Sequence, residues 1–312
     1  MTEIAPVPLA PRIPTRNSAR SPARLHPSAV LELLKPITWF PPIWAFGCGV
    51  VSSGAPLAPR WPIVIAGLVL AGPMVCATSQ AVNDWFDRHV DAINEPDRPI
   101  PSGRIPGRWG LYIALIWTVL SLGVATLLGT WGFAAAALGL ALAWAYSAPP
   151  IRLKQNGWWG NSAVGLCYEG LPWITAAAIM STQAPSWPVL AIALLYSAGA
   201  HGIMTLNDFK SIGGDRVSGV NSLPVLLGPE RAARLACITM ALAQVGVLVL
   251  LVTWSRPVHA MIVAALIAVQ LVLMRRLMTK PRELAPWYNG TGVLLYVLGM
   301  LVTAFALAGM SA

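Results

Sequence analysis

The chain has 312 residues, of which 56% are hydrophobic and 11% charged, with a mean hydropathy of +0.64. A soluble domain carries about 25% charged residues, and a larger core cannot absorb the deficit because the surface must still face water. A water-soluble globule is therefore excluded and a lipid bilayer is the expected solvent. The formal charge of +9, from 21 Lys+Arg against 12 Asp+Glu, then reads as membrane topology, anionic headgroups and an anionic substrate, with no nucleic acid partner.

Residues 1–30 are rich in Pro, Ser, Ala and Arg and hold no apolar stretch of the kind a secretory signal requires. Arg12, Arg16, Arg20 and Arg24 recur every fourth residue, but Pro14 and Pro22 interrupt the helix that this spacing would need. A disordered basic tail over 1–30 is expected, followed by one transmembrane domain over 31–312. Crossing the hydrocarbon core takes about 20 predominantly apolar residues. Nine stretches meet that requirement: 36–54, 61–82, 109–129, 131–147, 160–180, 187–207, 231–254, 257–278 and 288–311. Only Thr130 separates the third from the fourth, which predicts a tight hairpin there. The expected fold is all-α, with nine transmembrane helices.

Of the 21 Lys and Arg, 19 fall in alternate connections: the tail through Lys35, then 83–108, 148–159, 208–234 and 275–282. Arg60 and Arg256 alone fall on the other side. Positively charged loops stay cytoplasmic, so the N-terminus is expected inside and the C-terminus outside. The acids, apart from Glu169, also lie on or near the cytoplasmic side, which places the chemistry there. The four cysteines (Cys48, Cys76, Cys167 and Cys237) sit within apolar segments at no metal-like spacing, and read as buried small hydrophobes.

The second stretch runs into Asn83-Asp84-Trp85-Phe86-Asp87-Arg88-His89-Val90-Asp91. Its acids stand at i, i+3 and i+7, on one helical face. Three ionised carboxylates there repel one another unless a cation neutralises them; the plainer reading is a solvated helix end. The sixth stretch runs into Asn207-Asp208-Phe209-Lys210-Ser211-Ile212-Gly213-Gly214-Asp215, with acids again two turns apart if the helix survives Gly213 and Gly214. The recurrence four helices later, with Asn-Gly pairs at 156–157 and 289–290, suggests two related four-helix units plus a ninth helix. Two carboxylate clusters on one membrane face suit Mg²⁺, which takes one or two carboxylates, waters and substrate phosphate oxygens. A diphosphate also needs protein cations. Lys35, Arg98, Arg152 and Lys154 lie on this face, and Arg98 and Lys154 are the first choices because Pro- and Gly-punctuated loops hold them beside the motif helices. For each of them the positive-inside rule offers a plain alternative.

NDxxDxxxD at 83–91, DAINEPDRPIPSG at 91–103, YSAPPIRLKQNGWWGN at 146–161 and NDFKSIGGDR at 207–216 together resemble the UbiA superfamily of intramembrane prenyltransferases. The likeness is strongest to its chlorophyll and bacteriochlorophyll synthase branch. The resemblance implies nine helices around a cavity open to the cytoplasmic face, in an intracytoplasmic photosynthetic membrane of a bacterium. It makes Asp84, Asp87, Asp91, Asp208 and Asp215 the Mg²⁺ ligands. It makes Lys35, Asn83, Arg98 and Lys154 diphosphate contacts, with Asn207 and Arg152 beside them. Gly213 stands where that branch usually has Glu, and Asn221 where it usually has Lys. The implied reaction esterifies the propionate of a bacteriochlorophyllide with geranylgeranyl or phytyl diphosphate, in the company of other pigment-pathway proteins. A chlorophyllide, a quinone-precursor aromatic or a haem remains an alternative acceptor.

Trp85, Phe86 and Tyr146 are candidates to face the allylic cation, or else core aromatics. The nucleophile, a carboxylate, is ionised at neutral pH and needs no strong base; His89 points to another helix face. Glu169 and His201 fall about 13 Å and about 9 Å into the membrane at 1.5 Å per residue. An intramembrane ionisable group is a functional hypothesis by default. The pair is expected to meet in the cavity and read a polar group of the macrocycle, with a structural hydrogen bond or axial ligation by His201 as the alternatives. A secondary transporter, which places ionisable groups near the midplane at broken helices, is the rival from another class.

Overall fold

The computed structural model describes residues 25–311. The first 24 residues of the expected tail lie outside that range, and residues 27–30 form the first turn of a helix. The fold is all-α: among the described residues the only strand-like pairing is an isolated bridge between Asn156 and Asn221. The helices, in chain order, are α1 (Pro27–Leu34), α2 (Phe40–Ser52), α3 (Ala58–Ile93), α4 (Trp109–Thr126) and α5 (Gly129–Ser147). They continue with α6 (Gly157–Ser181), α7 (Trp187–Ser218), α8 (Pro229–Thr253), α9 (Pro257–Leu277) and α10 (Pro281–Ser311).

Eight of these, α3 to α10, are long and apolar enough to cross a membrane, where the sequence reading expected nine. The stretch 36–54 is the difference. A 3₁₀ turn occupies Pro36–Thr38 and the α-helix proper begins at Phe40, giving α2 only 13 residues. At 1.5 Å per residue that is about 20 Å, short of a hydrocarbon core about 30 Å thick. Lys35, in the left-handed region at φ 47°, breaks the chain between α1 and this turn. Elsewhere the helices overrun their apolar stretches. Polar Asn83–Asp91 continues α3, and Asp208–Ser218 continues α7 through a 3₁₀ turn at Asp208–Ser211. The hairpin turns at Leu127-Leu128 and at Gly129, whose φ of +69° a side chain would resist.

Burial separates the helices. In α7 and α6, 61% and 56% of the apolar window is buried, against 28% in α4, α5 and α9, so α6 and α7 form the interior and the others face lipid. α7 packs against α6, α8 and α10. Lipid tails supply little hydrophobic drive between helices, so close backbone approach matters more. A Cβ on Gly202 would stand 2.5 Å from the Ala236 carbonyl of α8, and one on Gly165 would stand 2.6 Å from the Ser197 carbonyl of α7. Two π-helical segments, Leu70–Cys76 around Pro73 and Leu166–Gly170 around Glu169, shift register in the helices that frame the site.

Candidate active site

The first motif is the last two and a half turns of α3. Helical spacing puts Asp84, Asp87 and Asp91 on one face, and cations from three other segments meet them there. Lys35 Nζ donates to Asp84 Oδ1 at 2.6 Å. Arg98 Nη1 stands 2.8 Å from Asp91 Oδ2 and 3.5 Å from Asp84 Oδ1, while its Nε donates to Glu95. Lys154 Nζ donates to Asp87 Oδ1 at 2.5 Å, and Arg152 Nη2 lies 3.4 Å from the same oxygen. The repulsion expected within this cluster is thus relieved by the protein's own cations. Two of them are presented by strained backbone: Lys35 at φ 47° and Arg152 at φ 41° are both left-handed without being glycine. Arg104 fixes the loop that carries Arg98 by binding Glu32 of α1 and the Asp97 carbonyl.

Burial holds Lys154 below the usual lysine range against the pull of Asp87. Burial would also lower Arg98, but Asp84, Asp91 and Glu95 outweigh it and raise the guanidinium further.

The second motif is held differently. Asn161 Nδ2, on α6, donates to Asp208 Oδ2 at 3.1 Å and stands 3.3 Å from Thr205 Oγ1. Ser222 Oγ donates to Asp215 Oδ2 at 2.6 Å. Both partners are neutral. Among the described residues neither Asp208 nor Asp215 has an ion pair.

A short backbone clasp joins the loops. Gly157 N–H donates to the Asn221 carbonyl at 2.9 Å and Asn221 N–H to the Gln155 carbonyl at 3.0 Å. A Cβ at Gly157 would stand 2.6 Å from the Leu223 nitrogen, so only glycine permits the clasp. Asn156 caps α6 by accepting from the Trp158 and Trp159 N–H groups. The clasp brings Lys154 beside the second motif, and Asp215 feels both Asp87 and Lys154. The Tyr146 hydroxyl lies within electrostatic reach of Asp87, Asp208 and Asp215, between the two motifs.

Asn83 donates to Ser147 Oγ at 3.3 Å, tying α3 to α5. Asn207 closes the α-helical part of α7, half-buried. Phe86 packs edge-on against Trp144, and the Arg88 guanidinium covers Trp85, so both rings have packing roles here. His89 is exposed. Glu169 and His201 form neither a hydrogen bond nor an ion pair with each other. The Glu169 carboxyl, in the π segment, lies within electrostatic reach of Cys48 and Tyr296, whereas the His201 ring lies beside Trp158. The expected pair is therefore corrected to two separate buried groups.

The residues fit a hard divalent ion. The donors are carboxylate oxygens, and Asp84 Oδ2 is buried with no partner. No three His, Cys, Asp or Glu side chains form a metal cage among the described residues. That is the arrangement Mg²⁺ takes when substrate phosphates and water complete its shell. A narrow apolar cavity of about 50 Å³, lined by Phe46, Leu70, Val75, Ala136 and Leu171, lies between α2, α3, α5 and α6. Val75 precedes Asp84 by nine residues, about 13 Å along the helix.

The chain matches the UbiA prenyltransferase family over residues 39–290. It is 64% identical over 285 residues to the bacteriochlorophyll synthase 33 kDa chain of Cereibacter sphaeroides, covering 91% of this chain and 94% of that one. It is 58% identical over 287 residues to the protein of the same name from Rhodobacter capsulatus, covering 91% and 94%. In structure it is similar to a UbiA homolog from Archaeoglobus fulgidus bound to GPP and Mg²⁺, with a TM-score of 0.67 and 20% identity, covering 88% of this chain and 99% of that one. On this evidence of sequence and fold, the chain belongs to the UbiA prenyltransferase family.

Proposed function

We propose that this membrane prenyltransferase joins a C20 prenyl group, geranylgeranyl or phytyl, to the propionate of a bacteriochlorophyllide. A carboxylate oxygen of the acceptor attacks the allylic C1, the C1–O bond to the diphosphate breaks, and pyrophosphate leaves. The observation that carries the reading is the approach of two Asn-Asp motifs, from the ends of α3 and α7, with four cations on the first and Lys154 within electrostatic reach of the second. Lys35, Arg98, Arg152 and Lys154 balance the negative charge that grows on the departing pyrophosphate. Asp84 and Asp87 of the first motif and Asp208 and Asp215 of the second hold Mg²⁺, with Asp91 orienting Arg98. Bound there, Mg²⁺ supplies Lewis-acid stabilisation of the leaving group. Tyr146 offers its ring to the allylic cation, and the apolar cavity beside Val75 takes part of the chain. The acceptor carboxylate is already ionised at neutral pH, so no protein base is assigned.

The bacteriochlorophyll synthases among the relatives support the acceptor, and the GPP- and Mg²⁺-bound Archaeoglobus fulgidus structure supports the donor and the metal. The test is acceptor exchange: purified protein, Mg²⁺ and geranylgeranyl diphosphate are incubated with bacteriochlorophyllide or with 4-hydroxybenzoate. Esterified pigment only with the first supports the reading; prenylated 4-hydroxybenzoate alone overturns it.

The membrane is an intracytoplasmic photosynthetic one, with the N-terminus and both motifs on the cytoplasmic side and the C-terminus opposite. The 19-to-2 division of Lys and Arg supports this orientation. A reporter fused after Ala312 then registers as periplasmic and one inserted near Gly107 as cytoplasmic; a cytoplasmic C-terminus contradicts it.

A further inference from the structure

A recess separate from the apolar cavity opens between α6, α7 and α8. It has a volume of about 390 Å³, and Trp158, Ser162, Ser197, Ala198, His201 and Thr239 line it. That is within the range of small-molecule sites, roughly 300–1,000 Å³. Its outer lip is open: Trp158 is 45% exposed and Leu194 49%.

His201 is buried at 9% exposure in the wall of this recess. Its imidazole lies beside the Trp158 ring, centroids 5.7 Å apart and planes 31° apart. Among the described residues no side chain hydrogen-bonds to either ring nitrogen, so the imidazole keeps capacity to bind a group that enters the recess. An imidazole at membrane depth with that capacity calls for an occupant.

The recess shares its walls with the second motif. His201 precedes Asp208 by seven residues, two turns on the same face and about 10 Å along α7. On α6, Asn161 follows Trp158 by three residues and bonds both Thr205 and Asp208.

We propose that this recess docks the acceptor macrocycle, with His201 as axial ligand to the macrocycle's central Mg. The proposal rests on the acceptor assigned above. A neutral imidazole is a common metal ligand, the Trp158 ring offers a flat aromatic wall, and the open lip between Trp158 and Leu194 admits an apolar acceptor. The recess holds part of the ring, and the ring edge bearing the propionate is turned toward Asp208.

The experiment titrates purified protein, without prenyl diphosphate, with Mg-bacteriochlorophyllide and with its Mg-free counterpart. Fluorescence gives affinity, and the coordination-sensitive visible band reports axial ligation. Wild type binds the Mg form more tightly than the Mg-free form. His201→Leu loses that discrimination and the band shift, and its KM rises for the macrocycle but not for the prenyl diphosphate. Retention of both in His201→Leu overturns the proposal. Ala198→Trp, which fills the recess from the turn before His201 on α7, weakens macrocycle binding while geranylgeranyl diphosphate still binds. Unchanged macrocycle affinity in that variant also overturns it. Failure of wild type to esterify any pigment would instead sink the acceptor reading, whereas normal esterification with an indifferent His201→Leu sinks only the axial site.

Discussion

The two carboxylate motifs look alike in sequence and differ in what holds them. Asp84, Asp87 and Asp91 are each within 2.8 Å of a lysine or arginine, whereas Asp208 and Asp215 rest on the amide of Asn161 and the hydroxyl of Ser222. A neutral donor orients a carboxylate without cancelling its charge; a cation does both. On the proposed function, the second motif therefore has the greater need of a bound metal, and the first doubles as a holder for the cations that a diphosphate recruits. In that reading the protein cations turn from carboxylate to phosphate oxygens when Mg²⁺ and diphosphate enter together.

Breaking the second motif has the largest expected effect. Asp208→Ala lowers kcat by about 10²-fold or more, the loss typical of removing a transition-state electrostatic partner. The protein still inserts and folds, because no buried cation is left unpaired. Full turnover in this variant, measured as pyrophosphate release, removes the metal assignment. Chelation with EDTA acts in the same direction and added Mg²⁺ reverses it.

Lys154→Met comes next. It removes the proposed diphosphate contact and one of the two cations on Asp87, leaving Arg152 at 3.4 Å. Breaking a charged hydrogen bond costs about 1.5–3 kcal/mol, so thermal stability falls along with kcat/KM for the prenyl diphosphate. A loss of stability with kcat/KM untouched would confine Lys154 to a structural pairing.

Asn161→Ala and Ser222→Ala produce smaller effects and sharpen the comparison most finely. Removing a group that orients a metal ligand costs about 10–100-fold in metal affinity. The Mg²⁺ concentration for half-maximal activity therefore rises by about tenfold, while kcat at saturating Mg²⁺ changes little. An unshifted Mg²⁺ curve in both variants would show that neutral donors do nothing for the second motif.

Much of this was legible in the sequence. Charge deficit and apolar stretches expose the membrane class, and seven-residue spacing of acids exposes the motif faces, because helical periodicity is local. Lys35, Arg98, Arg152 and Lys154 were legible as a set, but their individual partners depend on how loops 95–105 and 148–156 fold over α3. Asn161 and Ser222 were missed: one lies in a quoted motif without an assigned role, the other in none. The available signal was a polar Asn in an otherwise apolar helix start, since a buried amide must find partners. Eight helices of spanning length stand against the nine expected, because hydropathy does not register the break at Lys35 and the 3₁₀ turn that shorten α2. Glu169 and His201 do not bond to each other, because depth along a helix says nothing of azimuth, and Glu169 sits in a π segment at Leu166–Gly170 where ordinary helical spacing does not hold.

The central claim is that protein cations hold the first motif until Mg²⁺ and diphosphate enter, whereas the second motif has neutral partners and relies on the metal, so that neither motif is a metal cage by itself. Electron paramagnetic resonance of Mn²⁺, substituted for Mg²⁺, tests it most directly in purified protein with and without an unreactive thiolo analogue of geranylgeranyl diphosphate. The account predicts weak Mn²⁺ binding to the protein alone, tight binding once the analogue is present, and loss of that tight binding in Asp208→Asn. Tight Mn²⁺ binding without the analogue, or tight binding that survives Asp208→Asn, would contradict it.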